Sequence, residues 1–599
     1  MKSTKYIALV FGTAAFVFAG CSDSFLDKTP DERVEITTPT KCVQLLNTSY
    51  PESNYGWICE ISSDNIADNN APHYPSSPNA KQIETHYNLG TYDRTDDEMY
   101  RFEPGVSSTS QDTPTHLWNV FYSSIHSVNY VLEAIDKGNV NDDESGYDLD
   151  VAAAEAKLIR AYDHFILVNV FCQAYKDSVA SKNDLGIPYV TVPETNTGVK
   201  YDRSNVAETY NKIQQDLEEG LAGISDANYK TAPKYHFNIN AAHAFAARFY
   251  LFKRDYAKVI EHANYVLGTD SATIYSQLMD WAPFDSCSSS TDYAKVWQDY
   301  SSSNNLMILG TYSAIFRHSL GYRFALVGQP ARDVLFHSHP MWSGYVVNPA
   351  ALVGGYLFWS GEDYGYSCAK IAERFQYVDR LAGTGYVHTM RREFTRAELL
   401  LERAEAEIML GQYDAAFKDM QLYTEGNQKF STATKKTYVS QARLVPLQEY
   451  MLDDYYLDTS NPNCFANWDF TQNMSSSFVV PQAAVKYMNC LNDLRRFETL
   501  WDGLRFFDLK RWGIEYSHIY GPDKVEYTLT WNDERRAIEI PATVIQAGLQ
   551  PSRSTTATGS QSSAKKIPFA DFVSDPDEES EGFSFETNKT NNDSYVIKK

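Results

Sequence analysis

Apolar side chains recur with helical period in several separated parts of this chain. From Trp118, the residues Phe121, Tyr122, Ile125, Val128, Val131, Leu132 and Ile135 follow at three- and four-residue steps, which predicts one long buried helix face. Ala154, Leu158, Ala161, Tyr162 and Phe165 make a second face, with small residues that permit close helix contact. A third face runs through Val206, Tyr210, Ile213, Leu217 and Leu221. Asn205, with Glu208 three residues on, predicts its N-cap. Residues 22–60 hold a shorter pattern around Cys42, Val43, Leu45 and Leu46, and a turn-rich aromatic stretch follows it to Phe102.

Two segments repeat one another. Ala242–Leu267 and Glu398–Tyr423 align with Tyr256 on Tyr413, Ala247 on Ala404, and the turn Lys253-Arg254-Asp255 on Leu410-Gly411-Gln412. Each reads as an Ala-rich helix, a tight turn and a second helix opening with Tyr, the shape of a tetratricopeptide-like hairpin. Such hairpins must stack to bury their faces, and candidate pairs lie at 115–172, 205–268, 394–424 and 484–513. The gaps between them are too long for a regular solenoid and predict a helical scaffold carrying large irregular insertions at 270–392 and 425–483.

Read as one helix, 495–513 places Phe497, Trp501, Leu504, Asp508 and Trp512 on one stripe, with Gly503 mid-way and Gly513 at the stop. Asp508 then has Arg505 and Arg511 three positions away on either side as ion-pair partners. Gly503 predicts close approach of another backbone or a bulky ring. Glu498, Asp502 and Asp508 could in principle carry acid–base chemistry. Beside so many arginines they are read as a buried ion-pair lattice that locks the last hairpin.

Bulk properties narrow the function. The 599 residues carry 77 acidic against 53 basic side chains, a formal charge of −24, which argues against nucleic acid as a main partner. Lys2 and Lys5 precede an apolar run to Ala19 that reads as a secretory signal peptide over 1–20. Phe18-Ala19-Gly20-Cys21 looks like a lipobox, making Cys21 the lipidated mature N-terminus. The other seven cysteines are scattered without Cys-x-x-Cys spacing, so neither a disulfide framework nor a zinc site is expected; Cys42 and Cys59 are the nearest pair. Known hydrolase, nucleotide-binding and metalloprotease motifs are missing, and the histidines do not fall at ligand spacing. Gly383-Thr384-Gly385 reads as a turn, and His388 with Arg391–Arg392 as a solvated loop edge. No cofactor, metal or catalytic residue is assigned.

The 495–513 run resembles the C-terminal motif of the SusD/RagB family, outer-membrane lipoproteins that capture nutrients, usually glycans, for a TonB-dependent transporter. The family pattern is Glu-Arg-Arg-x-Glu-Leu-x-x-Glu-Gly-x-Arg-x-x-Asp-Leu-x-Arg-Trp-Gly. It is met at Arg495, Arg496, Glu498, Gly503, Arg505, Asp508, Leu509, Arg511, Trp512 and Gly513, with Leu494, Thr499 and Asp502 as departures. Trp118 to Asn129, Glu155 to Ala161, Gly186-Ile187-Pro188 and Ser22–Asp27 also resemble family segments. Asn304–Ile308 is similar to a family strand, and Arg535–Pro541 to its closing strand.

The resemblance implies a mainly α, SusD-like fold with tetratricopeptide-like hairpins as scaffold. It divides the chain into the signal peptide 1–20, a nutrient-binding unit 21–550 (21–269, the aromatic-rich insertion 270–392, and 393–550) and a polar acidic tail 551–599. It further implies a non-enzymatic, lipid-anchored protein on the outer membrane that delivers a glycan to a SusC-like TonB-dependent transporter. Peptide capture as in the RagB branch, a secreted polysaccharide-degrading enzyme and a periplasmic scaffold are the alternatives.

Family ligand surfaces lie in variable loops, so the candidates come from composition: aromatic faces for sugar rings, amides and carboxylates for hydroxyls. They are Trp281, Trp297, Trp342, Trp359, Tyr55 and Trp57, with Asp64 and Asn65 as polar neighbours. Glu498, Gly503, Arg505, Asp508, Arg511 and Trp512 are assigned to structure.

Overall fold

The computed structural model describes residues 35–73, 86–194, 199–320, 322–337, 357–359, 365–427, 447–457, 468–470, 475, 477–554 and 565–566. The principal helices are α1 (Pro39–Asn47), α2 (Gly56–Glu60), α3 (Arg94–Tyr100), α4 (Pro114–Asp136), α5 (Leu149–Phe171), α6 (Val206–Gly223), α7 (Ile239–Lys253) and α8 (Tyr256–Leu267). After the insertion come α9 (Ser290–Trp297), α10 (Ile315–His318), α11 (Arg396–Met409), α12 (Tyr413–Asn427), α13 (Val485–Glu498) and α14 (Leu504–Trp512). One apolar core joins side chains from Cys42 to Ile540.

Caps set the helix starts where the sequence places them. Asn205 accepts from the Glu208 N–H at 2.9 Å to open α6, Thr113 caps α4 ahead of Pro114, and Thr395 caps α11. Trp118 is a core anchor, packed against Tyr122 and Phe171. Asn129 donates to the Val190 carbonyl and accepts from Arg160, whose fork also grips Asp216 at 2.6 and 2.7 Å. That network ties α4, α5 and α6 into one layer.

The two halves of the repeat form matching hairpins. α7 and α8 are joined at Arg254 (φ 67°), and α11 and α12 at Gly411 (φ 75°), so both turns use the left-handed region before a helix that opens with Tyr. Ala247 and Ala404 are both fully buried, and α8 packs on α11. The 205–268 segment differs from a simple pair because it holds three helices, with α6 packed on α5.

The insertion after residue 270 is more regular than its weak helical period suggests. Strands β1 (Asn305–Tyr312), β2 (Arg374–Asp379) and β3 (Thr384–Thr395) form an antiparallel sheet in the order β1-β3-β2. Gly383 (φ 66°) sits in the turn between β2 and β3. His388, Arg391 and Arg392 therefore lie on a strand, and not on a loop edge, with Arg391 and Arg392 buried. β3 runs straight into α11, which fixes the sheet to the helical scaffold.

A second sheet joins β4 (Tyr516–Tyr520), β5 (Val525–Leu529) and β6 (Lys565–Lys566). The segment expected to be a closing strand is instead a short 3-10 turn (Glu534–Arg536) followed by chain outside any described strand, whose Ile538 N–H bonds the Val170 carbonyl at the end of α5. Arg553 returns into the core and donates to the Phe102 carbonyl at 2.7 Å. Among the described residues Cys42, Cys59, Cys172 and Cys490 are buried free thiols; Cys368 is also buried and Cys287 half-buried.

Candidate ligand-binding surface

The 495–513 run is two helices. α13 ends at Glu498, the chain turns through Trp501 (φ 67°) and Gly503 (φ 78°), and α14 begins at Leu504 and ends at the left-handed Gly513 (φ 70°). Only glycine suits this turn, since φ is left-handed and a Cβ on Gly503 would sit 2.9 Å from the Gly56 Cα, where α2 crosses. The single stripe does not form, but all of its side chains are buried.

The ion pairs are rearranged accordingly. Asp508 is held by Arg511 (2.8 Å) and Arg495 (2.9 and 3.1 Å), whereas Arg505 reaches back to Asp64 at 2.7 and 2.8 Å. Glu405 accepts from both Arg511 nitrogens and from the Trp512 indole N–H at 2.9 Å. Glu498 accepts from the Tyr423 hydroxyl. Burial opposes ionisation of Asp64, and the Arg496 and Arg505 guanidiniums overcome it and hold its carboxyl at about 2.

Several sequence-derived ligand candidates belong to this buried lattice. Asn65 donates to Glu60 at 3.0 Å and accepts from Arg496 at 2.8 Å. The Tyr55 ring lies between Arg391 (3.8 Å) and Phe507 (5.6 Å), with its hydroxyl on Glu393. Trp57 stacks on His318 and donates to Asp96 at 2.7 Å. Every face of these rings is occupied by protein, because α2 is squeezed between α14 and α10.

Trp281 and Trp297 form a satellite cluster with Met279, Phe284, Tyr293 and Ala369, edge to face at 5.6 Å. The Trp281 indole donates to the Gly426 carbonyl, and Arg392 covers Trp297 at 4.3 Å. Trp342 and Cys21 lie outside the described residues, and Trp359 is described only as part of the strand Leu357–Trp359.

The aromatic faces that do reach solvent lie elsewhere. Tyr92, 37 % exposed, stands edge-on to Tyr322 (5.2 Å) and to the buried His318 (4.4 Å). His318 is fixed from below by Asp96 at 3.2 Å and lies 3.8 Å from Asp112. Burial would lower its pKa, and these two carboxylates raise it above the ordinary value.

Beside it, Arg317 forms a bidentate pair with Glu373 (2.7 and 2.8 Å), and Ser108 and Ser110 bond Asp93. Tyr312 and Tyr386 pair at 5.3 Å and 51° on the neighbouring sheet. The Gln111 amide, bonded to the Val387 carbonyl, ties the two groups together. The surface offers flat apolar faces with planar charged groups at the rim, on a frame of buried hydrogen bonds. Asp93 caps α3 and so marks where Tyr92 stands, but nothing local in the sequence tells an exposed Tyr from a buried one.

Comparison with known proteins agrees with this architecture. A family model described as starch-binding, associating with outer membrane, and named SusD-like, matches residues 24–251. No curated protein matches the sequence. Among solved structures, a candidate sugar-binding protein from Bacteroides vulgatus superposes with a TM-score of 0.55 at 17% identity, covering 87% of this chain and 99% of its own. A SusD superfamily protein from Bacteroides fragilis gives 0.55 at 15% identity, with 86% and 99% covered. One from Bacteroides thetaiotaomicron gives 0.50 at 17% identity, with 86% and 100% covered.

Residues 24–251 are SusD-like by this match. The chain shares the helix-rich fold of these structures along most of its length, and the fold implied by the resemblance at residues 495–513 agrees with it. Among its described residues no helix is long and apolar enough to cross a membrane.

Proposed function

We propose that this SusD-like protein is a cell-surface lipoprotein that captures oligosaccharide or polysaccharide and delivers it, without chemistry of its own, to a SusC-like TonB-dependent transporter. The observation that carries the glycan reading is the half-exposed Tyr92–Tyr322 pair beside Arg317–Glu373. Aromatic edges and faces engage the apolar side of a sugar ring, and a guanidinium–carboxylate pair engages vicinal hydroxyls. The family's starch-binding description supports the same ligand class. The ligand residues proposed from the structure are Tyr92, Tyr322, Arg317 and Glu373, with Tyr312 and Tyr386 as a second pair. Trp342 and Trp359 from the sequence remain with them as candidates.

Anchoring would be through lipid on Cys21, which follows a signal-peptide run and a lipobox-like Phe18-Ala19-Gly20. The test is a binding titration of the membrane-extracted protein against a glycan and peptide panel, followed by detergent co-purification. Binding of glycans, without turnover, together with recovery of a large barrel protein supports the reading. Turnover of a polysaccharide, affinity for peptides alone, or absence of a barrel partner would overturn its respective part.

A further inference from the structure

β2 is the edge strand of its sheet among the described residues, and all six of its residues, Arg374–Asp379, are exposed. Its side chains are Phe375 (44 % exposed), Tyr377 (55 %) and Val378 (69 %), between Arg374 and Asp379 at the two ends. Natural edge strands are protected by Lys, Pro, bulges or a covering element. This one carries neither Lys nor Pro, and its one bulge lies at Val378, near the end.

The register with β3 assigns the two faces. Phe375 pairs with Val387 and Tyr377 with Gly385, which puts both rings on one face, 4.8 Å apart. Arg374 pairs with His388, Gln376 with Tyr386 and, past the bulge, Asp379 with Thr384, which puts these three on the other face. The bulge therefore brings Asp379 onto the face of Arg374, where an unbroken alternation would have put it on the opposite side.

We propose that β2 pairs with β2 of a second copy of this chain, about a two-fold axis perpendicular to the sheet that passes between the two Gln376 residues. Antiparallel pairing keeps each face with itself, so the strand must be self-complementary about that residue. It is: Gln376 meets Gln376, Phe375 meets Tyr377 of the other copy, and Arg374 meets Asp379 of the other copy, twice each for the last two pairs. The Asp379 Oδ1 already holds the Leu381 and Ala382 N–H groups at 2.8 and 3.0 Å, which orients the carboxylate and leaves Oδ2 for the incoming guanidinium. Arg374 spends Nη2 on Gln298 at 2.8 Å and keeps Nε and Nη1.

A six-residue edge is a small interface, so the dimer forms at concentrations on the order of micromolar. Confinement to a membrane surface would raise its occupancy. The inference does not depend on which ligand the protein binds.

The test is charge reversal, read by sedimentation of the membrane-extracted protein in detergent. Wild type is expected to show a concentration-dependent dimer that Arg374→Asp and Asp379→Arg each weaken at least tenfold. An equimolar mixture of the two variants restores a heterodimer, because a carboxylate of one variant then faces a guanidinium of the other at both contacts. The double reversal restores the homodimer. Gln376→Cys gives a disulfide-linked dimer on the axis, whereas Leu381→Cys at the hairpin tip does not. A monomeric wild type, single reversals without effect, a mixture that stays monomeric, or equal cross-linking at both cysteines would each overturn the proposal.

Discussion

Asp64 accepts two parallel bonds from Arg505, at 2.7 Å from Nε and 2.8 Å from Nη2, across 441 residues of sequence. The pair joins the segment after α2 to the first turn of α14. Arg496, 3.7 Å from the same carboxylate, and the Arg505 bond to Asn492 complete a buried cluster. This closure of the amino-terminal segment on α14 is therefore made by charge as well as by apolar packing.

Removing one partner of that pair leaves a buried charge alone, which costs roughly 3–5 kcal/mol. Asp64→Asn is expected to lower the urea midpoint at neutral pH by a corresponding amount, while Arg505→Lys recovers little because a lysine cannot supply two parallel donors. The folded carboxyl titrates at about 2, below its ordinary 3.8. Its stabilisation is thus complete above about pH 4 and is lost as pH falls toward 2, and the Asn variant should lack that segment of the acid-unfolding profile.

Two glycine replacements separate backbone strain from steric collision. Gly411→Ala adds a side chain in open space at φ 75° and is expected to cost about 1 kcal/mol. Gly503→Ala meets the same strain at φ 78° and also strikes Gly56 and Cys59, adding roughly 1–3 kcal/mol for overpacking. Thermal unfolding of the two variants side by side measures the difference; equal losses would remove the role given to the α2 crossing.

Glu60 accepts from the Gly503 N–H at 3.1 Å and from Asn65 at 3.0 Å, and burial pushes its carboxyl up to about 7. The unfolded chain releases this proton near its ordinary 4.5. Between those values the native state binds more protons, so this group's contribution is complete below about pH 4.5 and declines as pH rises to 7. Glu60→Gln should flatten that slope in chemical unfolding measured from pH 4.5 to 7.

Tyr92→Ala and Tyr322→Ala are each expected to weaken glycan binding about tenfold, roughly 1.4 kcal/mol, with little change in melting temperature. Trp57→Phe should do the reverse, because its indole N–H holds the buried Asp96 and its ring meets no solvent. Calorimetric titration and thermal melts on the same preparations distinguish the two patterns.

The helix faces around Trp118, Leu158 and Tyr210 and the matched hairpins at Tyr256 and Tyr413 were legible in the sequence because helix pairing is local. A 3.6-residue period, an N-cap and a left-handed turn all lie within a few neighbours of one another. The same locality explains the errors. One stripe through 497–512 is good helical periodicity, yet the chain breaks at Gly503, where α2, brought from far away in sequence, packs against the turn. Arg505, three residues from Asp508, was a natural partner by spacing, until Asp64 arrived with better geometry. The aromatics read as ligand contacts met the same difficulty, since Tyr55 and Trp57 have the composition of a binding surface and the environment of a core.

What the sequence alone determined was a family resemblance, through the spaced residues from Arg495 to Gly513, and the helical scaffold, through periodicity and caps. What only the tertiary structure decided was which aromatic rings face water and which charges meet. Exposure depends on what packs from elsewhere in the chain. Tyr92 is left open where Trp57 is covered, and Arg374 shares a face with Asp379 only because one extra residue at Val378 shifts the pleat.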